Sequence, residues 1–314
     1  MLRTVVAASL GLLTLLGVGC QAGGIRAEEA FTLNVPWNAY ETVQVRSRNG
    51  RIEVRQSTDA TQVSISGKKY VKGATLEEAQ GRLAMLLIQA AADPAAPSTL
   101  VVVLEVPDEI RNHSPGASLV LNVPQACRID VKTSNGAVVV AGMKQTTIDS
   151  SNGGVDATRI DGPLAVHTSN GTIRVADVHG DATLKTSNGA AVVERVQGST
   201  RVEASNGDIT LEAAGGPVYA DTSNGSIRLV GSPPPDGSVQ LDTSNGSIEA
   251  KLPASLKGEL SLVTSNGKVV TDLGSMALTN PQITKTSVKG VMNGGGTGKL
   301  IARTSNGGIR LTCQ

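Results

Sequence analysis

Thr186-Ser187-Asn188-Gly189 is one copy of the motif that decides the fold of this 314-residue chain, because its Ser-Asn-Gly core occurs nine times. The asparagines of the nine copies are Asn135, Asn152, Asn170, Asn188, Asn206, Asn224, Asn245, Asn266 and Asn306. Consecutive copies are separated by 17, 18, 18, 18, 18, 21, 21 and 40 residues, and a variant, Arg48-Asn49-Gly50, stands near the start. Self-similarity at a short, fixed period indicates a protein built from stacked repeats.

Apolar and polar residues alternate on both sides of each motif. Four residues before the asparagine and three residues after it the side chain is aliphatic in every copy, as Leu184 and Ala191 are around Asn188. This alternation predicts a short strand on each side. Counted from the asparagine, the apolar residues stand at even positions before it and at odd positions after it. The chain must therefore turn at the motif to keep the apolar side chains of both strands on one side. We expect positive φ angles at this corner, which asparagine and glycine tolerate.

Two architectures fit this parity. Asn-Gly between alternating strands is a strong hairpin signal, but a long meander of hairpins would expose one apolar face. No other segment of the chain is large enough to cover such a face. A coil that winds on itself encloses the apolar side chains and stacks like residues about 4.8 Å apart. We therefore predict an all-β fold, a β-solenoid of stacked coils with about 18 residues and two short strands each.

The N-terminus has the features of an export signal. Arg3 precedes an apolar run, residues 5–18, that is too short for a membrane-spanning helix of about 20 residues. The run ends in Leu16-Gly17-Val18-Gly19-Cys20, which resembles a bacterial lipobox, although Gly17 stands where that pattern prefers leucine. The resemblance implies lipidation of Cys20, a membrane anchor, and a place in the cell envelope facing the periplasm or the cell exterior. The alternative is an ordinary cleaved signal peptide.

The sequence predicts four segments: a signal peptide with a lipobox-like end over 1–20, a tether over 21–29, a diverged first coil with a capping insert over 30–126, and regular solenoid repeats over 127–314. Within the insert, Thr75-Leu76-Glu77-Glu78 forms a capping box that begins a helix. An apolar stripe extends this predicted helix over about 76–92. We expect the insert to cover the open end of the solenoid. Near the other end, Val288 replaces the asparagine in what we expect to be one degenerate coil.

The repeats resemble the bacterial putative-adhesin family of β-strand repeats known as toastrack, a domain of unknown function. The resemblance rests on the recurrent Thr-Ser-Asn-Gly-x-Ile, on Leu121-Asn122-Val123-Pro124, and on Asn293-Gly294-Gly295-Gly296 before the last motif. It covers most of residues 40–311. It implies a cell-envelope protein that is exported or membrane-attached, with no catalytic residues to carry over.

Charge and composition argue against a nucleic-acid partner. The formal net charge is only +1 and aromatic residues make up 2% of the chain, whereas nucleic-acid binding favours a basic field and stacking aromatics. Besides Cys20, the cysteines are Cys127 and Cys313, near the two ends of the repeat array. A disulfide needs Cα atoms within about 7 Å, so we expect two free thiols or an intermolecular bridge.

Two columns of side chains are candidate sites. The asparagine column could bind a ligand, but we favour a structural amide ladder along the turns. Glu203, Asp221 and Asp242 fall on successive coils and are weak candidates for Ca²⁺ binding. We favour a solvated, charged face there, and we predict no metal and no cofactor.

No catalytic set is recognisable in the sequence. The three histidines, His113, His167 and His179, are scattered, and no acidic pair stands apart from the repeat. We therefore predict a protein that is not an enzyme, a structural or adhesive module whose partner is envelope polysaccharide or a surface protein. The alternative is a polysaccharide-binding or polysaccharide-lyase-like solenoid.

Overall fold

The computed structural model describes residues 24–38, 40–59, 61–124 and 127–314. The predicted signal peptide, Cys20 and the first residues of the tether lie outside these ranges. The tether prediction is wrong for residues 25–29, because they belong to the strand Ile25–Pro36 and pair with residues 69–73. The chain divides into two compact units between Gly153 and Gly154, called unit 1 and unit 2 below.

Unit 1 contains ten strands, one α-helix and one 3₁₀ helix. They are β1 (Ile25–Pro36), β2 (Thr42–Asn49), β3 (Ile52–Gln56), β4 (Gln62–Gly73), α1 (Leu76–Ala84), β5 (Leu87–Asp93), β6 (Ala96–Glu105), the 3₁₀ helix Asp108–His113, β7 (Gly116–Val123), β8 (Arg128–Asn135), β9 (Val138–Met143) and β10 (Thr146–Ser150). The strands form the orders β1-β4-β7-β3-β9 and β10-β8-β2-β6-β5. Strands β2 and β3 pair in parallel with β8 and β9, with Asn49 opposite Asn135, so the variant motif begins a coil of the same register.

The capping insert continues the winding and then reverses it. Strands β6 and β7 add in parallel to β2 and β3, whereas β5, β4 and β1 run antiparallel to their neighbours. Helix α1 packs against β4 and β1 and buries Ala79 and Leu83. The prediction of one helix over about 76–92 is wrong beyond Ala84. The amides of Met85 and Leu86 close the last turn, and the next seven residues pair with β6, whose ladder outweighs the helical propensity of an alanine-rich segment.

Unit 2 contains seventeen strands in two sheets, and the strands from β11 to β23 alternate between them. They are β11 (Val155–Ile160), β12 (Leu164–Thr168), β13 (Ile173–Val178), β14 (Ala182–Thr186), β15 (Ala191–Val196), β16 (Thr200–Ala204), β17 (Ile209–Ala214), β18 (Val218–Thr222), β19 (Ile227–Gly231), β20 (Val239–Thr243), β21 (Ile248–Leu252), β22 (Gly258–Thr264), β23 (Val269–Asp272), β24 (Leu278–Ile283), β25 (Ser287–Met292), β26 (Lys299–Thr304) and β27 (Ile309–Cys313). One sheet has the order β11-β13-β15-β17-β19-β21-β27-β23, and the other has the order β24-β25-β22-β26-β20-β18-β16-β14-β12.

The regular coils of unit 2 stack like residue on like residue. Val155, Ile173 and Ala191 are successive partners in one parallel sheet, and their side chains are buried. From β11 to β23, strands that are adjacent in sequence lie in different sheets, which excludes a meander of hairpins for these coils. The all-β solenoid is therefore confirmed, with the aliphatic side chains of both sheets forming its core.

The C-terminal coil does not stack in sequence order. Strands β26 and β27 insert between the coil of β20 and β21 and the coil of β22 and β23. The predicted degenerate coil at Val288 is wrong, because β25 pairs antiparallel with β22 and with β24. Without the Asn-Gly corner, this segment forms a hairpin along the sheet instead of winding around the core.

Candidate functional site

The motif asparagines form amide ladders along the corners of each unit. In every rung an Nδ2 donates to the Oδ1 of the neighbouring asparagine. In unit 1 the rungs are Asn135 to Asn49 at 2.9 Å and Asn152 to Asn135 at 2.8 Å. In unit 2 they measure 2.7–2.8 Å and run from Asn188 to Asn170, Asn206 to Asn188, Asn224 to Asn206, Asn245 to Asn224, Asn306 to Asn245 and Asn266 to Asn306. The ladder therefore follows the stacking order, in which Asn306 precedes Asn266.

The residues beside the asparagine fix the corner from inside. The buried Thr186 hydroxyl accepts from the Gly189 amide at 3.1 Å and donates to the Gly171 carbonyl at 3.2 Å, and the same pair of bonds recurs at Thr222, Thr243, Thr264 and Thr304. A Cβ on Gly189 would lie 1.9 Å from the Gly171 carbonyl oxygen. The expectation of positive φ at the corner is wrong for the motif asparagines, none of which has one, but it holds for Gly50 at 117° and Gly136 at 150° in unit 1. In unit 2, close stacking of backbones, rather than a left-handed φ, explains the glycine at positions such as Gly189.

The three acidic candidates for Ca²⁺ binding lie in register on the outer face of one sheet. Glu203 lies opposite Asp221, which lies opposite Asp242. Arg201 bonds Glu203 at 2.5 Å and lowers the pKa of its carboxyl, and the Lys185 ammonium lies 3.4 Å from it.

The other two carboxylates of this column also have polar partners. Asp221 accepts from the Tyr219 hydroxyl at 3.2 Å, and Asp242 accepts from Gln240 at 2.6 Å with Arg303 at 3.7 Å. The described ranges contain no group of three or more His, Cys, Asp or Glu side chains arranged to hold a metal ion. The column is an ion-paired face, and its exposed pairs add little stability each.

The histidines do not converge. His179 Nδ1 lies 2.6 Å from Asp161 Oδ1 at an exposed corner of unit 2, with more than half of each side chain accessible to solvent. His167 lies on β12 beside Lys185 of β14, and His113 is on the 3₁₀ helix of unit 1. Both Cys127 and Cys313 are buried free thiols, and burial raises the pKa of each to about 11.

A cleft in unit 1 has no counterpart in the sequence predictions. Its volume is about 490 Å³, and it is lined by Gly24, Lys72, Gly73, Ala74, Glu78, Arg82, Asn112, His113 and Ser114. These residues come from the start of the described chain, the end of β4, helix α1 and the 3₁₀ helix. Apart from Glu78 of the capping box they belong to no motif, and only the folded chain brings these separate segments together.

The family described as Toastrack DUF4097 matches residues 102–276, more than half of the chain. The chain belongs to this family. No curated protein matches this toastrack-family sequence. Within the described part of the chain, no helix has the length and apolar character needed to cross a membrane.

Two solved structures resemble the toastrack-family chain at low similarity. A putative cell adhesion protein from Clostridium sporogenes ATCC 15579 is 9% identical with a TM-score of 0.27, over 92% of this chain and 100% of that one. A putative adhesin from Bacteroides fragilis NCTC 9343 is 17% identical with a TM-score of 0.39, over 90% and 96% of the two chains. Similarity at this level does not indicate a function for this chain.

Proposed function

We propose that this toastrack-family protein is a non-catalytic module of the cell envelope, held at a membrane by a lipid on Cys20, with a structural or adhesive role. The observation that carries the proposal is that the coils of unit 2 stack in register, with equivalent residues opposite one another. Each coil therefore places a side chain at the same outward position, and Lys185, Glu203 and Asp221 occupy that position on three successive coils. Repeated equivalent positions suit attachment through several weak contacts, because linked contacts reinforce one another.

The ladders and corners support a rigid scaffold rather than a reaction centre. Two carboxylates of the outer face of unit 2 that could do acid–base chemistry are engaged with basic or amide neighbours, Glu203 with Arg201 and Asp242 with Gln240. A general acid or base needs free access to the substrate proton. The module therefore acts through its surface, on envelope polysaccharide or on a surface protein.

The anchor is tested by Cys20→Ser, with Cys127→Ala as the matched cysteine control. Loss of the only acylated thiol is expected to release Cys20→Ser from the membrane fraction and to remove the acyl mass from the N-terminal peptide. Cys127→Ala keeps both, because its buried thiol takes no part in anchoring. Unchanged membrane fractionation of Cys20→Ser would contradict the anchor.

The adhesive role is tested by saturable binding of the purified protein to envelope material. The material is treated beforehand with a protease or with polysaccharide-degrading enzymes, and the treatment that removes binding identifies the partner class. Release of new sugar ends from the polysaccharide by the protein would instead establish the lyase-like alternative. Absence of binding to untreated material would contradict an adhesive role.

A further inference from the structure

The cleft of unit 1 is a cationic site that includes Gly24, the first residue that the structure describes. Gly24 lines it, and Gly24 is only four residues after Cys20. Four residues span at most about 14 Å even when fully extended. If Cys20 carries a lipid, as proposed above, the mouth of this cleft lies within that distance of the membrane surface, where the headgroup layer is roughly 5–7 Å thick.

The charges of the cleft favour an anion. Arg82 donates to the Lys72 carbonyl oxygen at 2.9 Å and forms an ion pair with Glu78, which offsets that carboxylate. The Glu78 carboxylate also accepts from the Ala74 amide at 2.6 Å, and this bond lowers its pKa. Each of its two oxygens therefore has a partner within the protein.

Donors without such partners remain in the cleft. Lys72 forms no ion pair with any described residue, and its ammonium group is left as an uncompensated charge of the lining. The side chains of Asn112 and Ser114 add neutral polar groups that can donate hydrogen bonds, and His113, which also interacts with the Glu78 carboxylate, adds a further donor. A lysine, a histidine and neutral donors around one cleft match the needs of a phosphate group.

We propose that this cleft binds the phosphate group of an anionic phospholipid in the membrane that holds Cys20. The proposal rests on the proposed lipid anchor for the source of the phosphate. Anchoring raises the local concentration of headgroups at the cleft, so a weak site is occupied. Headgroup binding would fix the orientation of unit 1 on the membrane.

The test measures how fast single lysines react with a membrane-impermeant acetylating reagent in the mature, lipidated protein. The protein is placed in vesicles of phosphatidylcholine alone or of phosphatidylcholine mixed with phosphatidylglycerol, and each lysine is followed by peptide mass spectrometry. With phosphatidylglycerol, we expect Lys72 to be acetylated roughly fivefold more slowly. Lys68, on the same strand but outside the lining, and Lys299, in unit 2, are expected to keep their rates.

A variant protein and a second measurement with inorganic phosphate test whether the protection of Lys72 comes from lipid bound in the cleft. His113→Glu places a carboxylate in the lining without altering Lys72, and it is expected to abolish the lipid-dependent protection. Equal protection of Lys68 and Lys72 would mean simple nearness to the membrane and would overturn the site, as would full protection of Lys72 in His113→Glu. Protection by inorganic phosphate in phosphatidylcholine vesicles would assign the cleft to free phosphate and overturn the lipid source.

Failure of the anchor and failure of the cleft are distinguishable in the same samples. The acyl mass on the Cys20 peptide reports the anchor alone. If that mass is missing, excess vesicles still report the cleft through Lys72, and equal Lys72 rates in the two vesicle types would overturn the site.

Discussion

At the scale of the residue, the corner is fixed by steric contact more than by backbone angle. Gly189 follows the ladder asparagine, and its backbone approaches Gly171 of the coil before it so closely that a methyl group has no space. The sequence reveals that glycine is needed at the corner. It does not reveal why, because the contact is with a residue 18 positions away that only stacking brings near.

Gly189→Ala tests this contact. The added Cβ meets the Gly171 carbonyl oxygen at 1.9 Å, so the coils must separate, and we expect a loss of about 2–3 kcal/mol in the free energy of unfolding. Gly154→Ala is the matched control, since its Cβ would meet nothing nearer than 3.5 Å. Urea unfolding of both variants measures the difference. Equal losses would mean that close stacking is not what selects glycine at Gly189.

The buried thiols give a pH dependence. Burial raises the pKa of Cys127 and Cys313 to about 11 from 9.0, so the folded state keeps thiol protons that the unfolded chain releases. Stability from these groups is complete below pH 9 and is lost as pH rises toward 11. We expect both thiols to resist alkylation at pH 8 until the protein unfolds, as measured by mass spectrometry. Rapid labelling of the native protein would contradict their burial.

At the scale of the element, the strands of regular coils are predictable and the ends are not. The alternation of apolar and polar residues around each Ser-Asn-Gly predicts the strands correctly, because every regular coil places the same positions in the core and the same positions on the outer face. The end of α1 is set by the next segment, β5, which pairs with β6. Helix α1 itself has no sequence signal for that pairing, because β6 follows β5 in the chain. The position of the last coil is likewise set by contacts far away in sequence, and the local motif at Asn306 is the same as elsewhere.

Asn293 holds the segment that returns the chain for its last coil. Its Nδ2 donates to the carbonyl oxygens of Ala254 and Leu256, each at 2.7 Å. We expect Asn293→Ala to lower the free energy of unfolding by about 2 kcal/mol more than Asn280→Ala. Both asparagines have a positive φ, 49° and 52°, so the strain of alanine is common to the pair. The variants differ in the hydrogen bonds lost at Asn293, which are the two from Nδ2 and one that Oδ1 accepts from the Ala277 amide at 3.0 Å.

Hydrogen exchange locates the effect of that substitution. Amides of β26 and β27 are expected to exchange faster in Asn293→Ala and to be unchanged in Asn280→Ala. Identical exchange in the two variants would show that Asn293 does not position the last coil.

At the scale of the whole molecule, the cleft illustrates what sequence reasoning could not reach. Lys72, Arg82 and His113 belong to three elements, and neither spacing nor composition links them. The acidic column was visible in the sequence because it follows the repeat, yet its ion pairs with Lys185 and Arg201 depend on side-chain reach across strands. Repetition is readable from sequence, whereas sites built from unrepeated segments require the fold.

The central claim is that coils of unit 2 are interchangeable layers in register. Deleting residues 171–188 removes β13 and β14 and joins Asn170 to Gly189, which recreates the motif. The remaining strands can pair in the same register, Val155 with Ala191 and Leu164 with Thr200, because both pairs already share the partners Ile173 and Ala182. Each coil in a solenoid contacts only its neighbours, so the shortened protein should fold.

The decisive measurement is thermal unfolding, followed by circular dichroism, of this 18-residue deletion beside a nine-residue deletion of 171–179. We expect the 18-residue deletion to keep the β spectrum and a cooperative transition. The nine-residue deletion removes one strand and half a turn of the winding, so we expect it to lose that transition. Failure of the 18-residue deletion to fold, or the same melting curve for both deletions, would contradict the solenoid register.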